Sequence, residues 1–175
     1  MSDIGFSSAT LSEKPGRLPQ RPPAARDERP GKPGAWLTSA QAATRIADWR
    51  DLATRCADAN VFFHPGILLP AIDHLDPSIA VATVDDGTGR LLALAPVHHG
   101  RLGKISPALW VWTHDYAPLG TPLLDSAAID EAADGLVELA GDGSLVLPEL
   151  PVHSHVAAAH RYPHRDSVYG SRMVG

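Results

Sequence analysis

The chain has 175 residues, of which 44% are hydrophobic and 20% charged, with a net charge of −5 at pH 7. That length suffices for one ordinary buried core, and no run reaches the roughly 18 apolar residues of a membrane-spanning helix. A single cysteine, Cys56, excludes an internal disulfide and a cysteine-based zinc cluster, and a cytoplasmic protein is expected.

The charge is unevenly spread. Residues 1–34 carry six Lys/Arg against four Asp/Glu, a balance of +2, and residues 35–150 carry six against fifteen, a balance of −9. An acidic centre speaks against nucleic acid as a partner, because phosphate contacts need clustered Lys and Arg. It tolerates a cationic or amine-bearing ligand, although a solvated acidic surface is the commoner meaning. No membrane partner and no secretory signal are expected.

Residues 1–34, with Pro15, Pro19, Pro22, Pro23, Pro30 and Pro33, read as a disordered leader. Trp36 and Leu37 end a short strand, and Thr38 or Ser39 caps a helix. Ile46, Trp49, Leu52, Ala53 and Cys56 recur at three- and four-residue steps, predicting one amphipathic helix over 39–59 with Cys56 buried and inert. Asn60 reads as its stop. Pro65 suits the first turn of a second helix, 65–74, which Pro70 would bend or shorten, and His64 reads as a satisfied loop histidine.

Ile79–Val84, the turn at Asp85–Gly89 and Arg90–His99 predict a β-hairpin. Its second strand is apolar on both faces and therefore central, with Pro96 marking an edge or bulge. His98 and His99 fall on opposite faces. Gly100–Pro107 is expected to be a loop. Trp110–Asp125 (WVWTHDYAPLGTPLLD) follows as the most distinctive stretch of a chain only 6% aromatic. A strand here puts Trp110, Trp112, His114 and Tyr116 on one face, before Pro118, Gly120 and Pro122 impose a shaped loop. Those aromatics read as a ligand-facing edge or, alternatively, as core filling. Asp125 and Ser126 are expected to cap a helix running to about Ala140. Gly141–Gly143 ends it, Ser144–Leu147 is a short buried strand, and another helix starts within 152–160. Residues 161–175 form an irregular tail.

None of the self-sufficient catalytic motifs we considered is present. There is no HEXXH, no G-x-S-x-G elbow and neither glycine-rich phosphate loop. His153, His155, His160 and His164 lie close together, which keeps a histidine-dependent metalloenzyme as an alternative, although no metal site is assigned.

Trp49–Ala53 (W-x-x-L-A), Asn60–Pro65 (N-V-F-F-H-P), Leu92–Val97 (L-A-L-A-P-V) and Trp112–Asp125 together resemble the first half of CelD-like acyltransferases of the GNAT type. These proteins are often linked to cellulose biosynthesis and are related in architecture to FemAB-like transferases. The resemblance covers about residues 36–160 and implies an α+β fold, three layers (α/β/α) around a mixed, mostly antiparallel sheet, in one domain that is complete or incomplete. It implies N-acetyltransferase-type chemistry, the transfer of an acyl group from acetyl-CoA or another acyl-CoA to an amine. Trp112, His114 and Tyr116 would form the substrate wall, and His114 or Asp115 would be the candidate catalytic base.

GNAT proteins hold the pyrophosphate on an [RQ]-x-x-G-x-[GA] loop, whose place is taken here by Tyr116–Asp125. Pro118 and Pro122 remove N–H donors there, and Asp125 adds a repelling charge. No residue is therefore assigned to cofactor binding, and this chain alone is not expected to bind acyl-CoA. In the family a second half carries that loop, so the expectation is an N-terminal half, a truncated product or fragment, partnered by a second GNAT-like half or by itself. The alternative is a non-catalytic binding or oligomerisation module.

Overall fold

The computed structural model describes residues 34–104, 106–141 and 143–159. Apart from Gly34, the expected leader lies outside these residues, as does the expected tail. The fold is α+β. Strand β1 (Gly34–Leu37) leads through helices α1 (Ser39–Ala43), α2 (Ile46–Arg55) and α3 (Pro65–Leu75) to strands β2 (Ala80–Asp85), β3 (Leu91–Leu102) and β4 (Ser106–Val111). The two-residue strand β5 (Leu123–Leu124), helix α4 (Ile129–Ala140), strand β6 (Ser144–Val146) and helix α5 (His155–Ala159) complete the order.

The sheet runs β1-β2-β3-β4-β6, antiparallel except for the last pairing, which is parallel. A parallel neighbour needs a crossover, and α4 supplies it. Residues opposite one another in a ladder share a face, so Gly34, Val84 and Ala93 face the same way. Helix α4 covers that face. A Cβ on Gly135 would lie 2.6 Å from Val84 Cγ1, so the missing side chain is what lets the helix sit this close. Leu91 to Val97 of β3 are all buried, as its two apolar faces predict.

β3 is the hub. One edge pairs with β2, and the other pairs with β4 over Val97–Leu102 and with β5 at Ala93 and Leu94. Pro96 sits at the gap between β4 and β5, where its carbonyl accepts from Trp112 N–H at 2.8 Å. A strand residue points its N–H and C=O to the same side, so the missing donor of Pro96 faces that gap and costs the β2 ladder nothing.

Several boundaries differ from the sequence expectations. The 39–59 helix is two: Thr38 and Gln41 form a capping box that starts α1, and Thr44–Arg45 separates it from α2. α3 runs through Pro70 because the ring forgoes only a bond to the Gly66 carbonyl, in the first turn on an exposed side. β3 and β4 extend into the expected 100–107 loop, because the pairing of Arg101 with Pro107 and of Leu102 with Ser106 carries the ladder almost to the turn. β4 ends at Val111, so Trp110 to Tyr116 do not share one strand face. α4 begins with Ala128 at its N-cap, without a side-chain cap.

Asp125, only 1% exposed, is ion-paired with Arg55 of α2 and, at 3.0 Å, with Arg90 just before β3. Its Oδ1 also accepts from Ala127 N–H at 3.1 Å. Arg55 in turn meets Asp51 at 2.7 Å and the Leu91 carbonyl. Burial would lower the Arg55 pKa, but its bond to Asp51 and the Asp125 charge outweigh that and raise it. Without Asp125, Arg55 keeps its bond to Asp51 and the half-exposed Arg90 meets water, so the loss is that of charge-assisted contacts, about 1.5–3 kcal/mol. Asp125→Ala is therefore expected to lower unfolding free energy by about that much in urea titration. Asp48→Ala, which breaks an exposed pair with Arg45, should cost under about 1 kcal/mol. Equal effects from the two would contradict this account.

Candidate functional site

The stretch after β4 is held at four points before it reaches α4. Trp112 N–H donates to Pro96 O, as above. His114 and Ala117 exchange two backbone hydrogen bonds, N–H to O at 3.2 and 2.8 Å, closing a two-residue turn with Asp115 and Tyr116 at its tip. Asn60 then clamps the loop: its Nδ2 donates to Leu119 O at 3.1 Å and to Thr121 O at 2.9 Å, while its Oδ1 accepts from Phe62 N–H at 3.1 Å. Finally, a Cβ on Gly120 would run into the Pro148 carbonyl, so only glycine lets the loop pack against the segment following β6.

This scaffold sets out three of the four predicted aromatic residues in a line. The rings of Trp112 and His114 lie 4.7 Å apart at 42°, and those of His114 and Tyr116 lie 6.2 Å apart, edge to face. Trp110 is not among these contacts; its indole lies over Gly100, whose Cβ would sit 2.7 Å from Trp110 Cδ1. Trp112 is buried, whereas Tyr116 is 82% exposed at the tip. With Leu75, Asp76, His114 and Asp115 they line an open groove of about 360 Å³. Trp112 thus lies in the core and Tyr116 at the groove.

His114 Nδ1 accepts from Tyr116 N–H at 3.3 Å. That bond engages Nδ1 within the turn, and Nε2 is the ring nitrogen left for other partners. The exposed Asp115 carboxylate is the acceptor-only group at the tip. His98 comes from β3, on the opposite face from His99, which stacks on Trp36 at 5.1 Å. Burial lowers the His98 pKa, opposed by Asp76 and reinforced by His99, and its buried Nδ1 has no hydrogen-bond partner among the described residues.

The other sequence candidates fall elsewhere. Cys56 pairs with Asp125 in an isolated bridge just past α2, and burial raises its thiol pKa, as an inert cysteine requires. His64 caps α3 through Nδ1. His153 is exposed, and His155 Nδ1 is bonded to Asp58 at 2.9 Å, which places it at the start of α5. His160 and His164 lie outside the described residues. Among the described residues, no three His, Cys, Asp or Glu side chains are grouped to hold a metal ion.

The backbone leading into α4 is already committed. Asp125 N–H donates to Leu92 O at 2.8 Å, Ser126 N–H to Arg55 O at 3.1 Å and Ala128 N–H to Asp125 O at 3.0 Å, while Ala127 N–H is held by the Asp125 carboxylate. The first turn of α4 carries Asp130 and Glu131. Asn60, read from sequence only as a helix stop, is the residue that orders this site. No family model, curated protein or solved structure matches the chain.

Two outcomes are expected. Asn60→Ala leaves two carbonyls and one amide unpaired and should cost about 1–3 kcal/mol. Hydrogen exchange at the His114 and Ala117 amides should also speed up; unchanged exchange there would show that the clamp does not order the turn. The second concerns pH. A histidine whose folded pKa is depressed contributes stability that is full above its unfolded value of about 6.5 and is lost as pH falls through the folded value. The urea midpoint should therefore drop between about pH 7 and pH 5, and His98→Gln should flatten that drop.

Proposed function

We propose that this chain is the acceptor-binding half of a two-part acyl-transfer protein of the GNAT type, with the acyl-CoA held by a second half. The observation that carries the reading is the winding of the sheet. Strand, helices, three antiparallel strands, a helix and a parallel strand in the order β1-β2-β3-β4-β6 resemble the GNAT topology in element order and in the single parallel pairing. In this reading α4 is one outer layer of an α/β/α arrangement and α1 to α3 are the other.

The residues before α4 do not fit a coenzyme A pyrophosphate. A phosphate cradle at a helix start needs free backbone N–H groups and a positive local field. Here the four amides from Asp125 to Ala128 are engaged within the protein, and Pro118 and Pro122 have none. The first-turn carboxylates of Asp130 and Glu131 suit the helix dipole but repel phosphate. Asp125 itself is not the source of repulsion that its sequence position suggests, because Arg55 and Arg90 neutralise it. The groove remains as the acceptor surface: Trp112, His114 and Tyr116 wall it, and His114 or Asp115 is the candidate base.

A second reading, a non-catalytic binding module, is favoured by the bond from Tyr116 N–H to His114 Nδ1, which engages that ring nitrogen inside the protein. Calorimetry of the chain with acetyl-CoA, alongside light scattering, separates the possibilities. No heat of binding and a monomer are expected. Micromolar acetyl-CoA binding would overturn placing the donor site in another half, and a stable dimer without binding would favour the module.

A further inference from the structure

The segment that follows β6 is fastened by few attachments. From Pro151 to Ala158 only Ser154 and Val156 are buried, while Val152 is 72% exposed. Helix α5 has five residues, too few to hold a helix without tertiary contacts. Its catch is Asp58, just past the end of α2. One oxygen of that carboxylate accepts from His155 Nδ1 at 2.9 Å and the other from Val156 N–H at 3.2 Å. Burial would raise the Asp58 pKa, but the bonds from His155 and Val156 outweigh it and hold the carboxyl below its ordinary value. The Ser154 hydroxyl completes the attachment by accepting from Ala157 N–H at 3.1 Å.

Closure carries two costs at this junction. Glu149 has a φ of 51°, and it is the one residue other than glycine at positive φ among the described residues. A side chain in that left-handed region is held there by its surroundings and not by its own preference. Thr121 is 3% exposed, and its Oγ1 has no hydrogen-bond partner among the described residues. A hydroxyl left unpaired opposes its own burial. Leu119 and Thr121 share a groove of about 300 Å³ with Pro151 and Ser154, and Gly120 between them packs on the Pro148 carbonyl. The segment after β6 therefore rests on the same residues whose carbonyls Asn60 clamps.

We propose that residues 149–159 form a strap, hinged at Glu149 and caught by Asp58, whose release loosens the turn at His114–Ala117. Opening relaxes the Glu149 backbone, admits water to Thr121 Oγ1 and frees Gly120 from its packing. Closing restores the burial of Val156 and the two bonds to Asp58. A segment with so few buried attachments opens locally, at a smaller cost than global unfolding. The strap requires no acyl transfer, so the acetyl-CoA experiment tests the acyl-transfer reading separately.

The test is native-state amide hydrogen exchange of the full chain, followed by NMR. In Asp58→Ala the Ala157 and Ala158 amides, whose acceptors on Ser154 are untouched, should exchange at least about tenfold faster. The His114 and Ala117 amides should follow by at least about threefold, while amides of β2 and β3 stay within about twofold. Glu149→Gly admits the left-handed backbone without strain and should act in the opposite direction, slowing exchange in α5 about twofold to fivefold. Because that variant favours the closed strap, it decides the matter even if Asp58→Ala fails to fold. Faster α5 exchange with His114 and Ala117 unchanged, β2 and β3 quickened as much as α5, or no slowing in Glu149→Gly would each overturn the proposal.

Discussion

A buried carboxylate has to be neutralised where it lies, and Asp125 is the point at which this fold solves that problem. The guanidinium of Arg55 arrives from the end of α2 and that of Arg90 from just before β3. Arg55 is held against Asp125 also by its bonds to Asp51 and to the Leu91 carbonyl. Taking these charges out of water costs several kcal/mol per ion, which only close pairing offsets. The same residue pairs across to Cys56, and its amide bonds to Leu92. One residue, through its side chain and its backbone, therefore joins α2, β3, β5 and the approach to α4.

That joint explains why the segment after β4 is rigid although it contains almost no regular structure. Its start is bonded to Pro96, its middle is clamped by Asn60 and packed through Gly120 on Pro148, and its end is locked at Asp125. Order of this kind has a chemical consequence. A backbone N–H that donates within the protein is withdrawn from any ligand, so the donors that stabilise the loop are those that a phosphate would need. The loop instead offers its side chains at the tip, and these are aromatic and acidic.

Much of the fold was legible in the sequence. The double-sided apolar run of β3, the apolar stripe of α4, the Thr38 cap and Pro65 at the start of α3 each express a preference satisfied by residues a few positions away. The site was legible only in part. Trp112, His114 and Tyr116 do come together, but through a tight turn and not along a strand. Trp110 drops out because β4 ends at Val111, once its pairing with β3 stops at Val97.

Composition and periodicity by themselves determined the β2–β3 hairpin and the apolar stripes of α2 and α4, because those features depend on side-chain spacing within one or two turns. They also determined that the centre is acidic and that the aromatic residues concentrate after β4. Only the tertiary structure decided what neutralises Asp125, which amides are spent, and that β6 pairs parallel to β4. Asn60 and Thr121 are 61 residues apart in the chain, and Arg55 is still more remote from Asp125. A hydrogen bond or ion pair across such a separation leaves no periodic trace in sequence. It exists because the packed sheet brings the partners within reach, where burial makes leaving either one unpaired too costly.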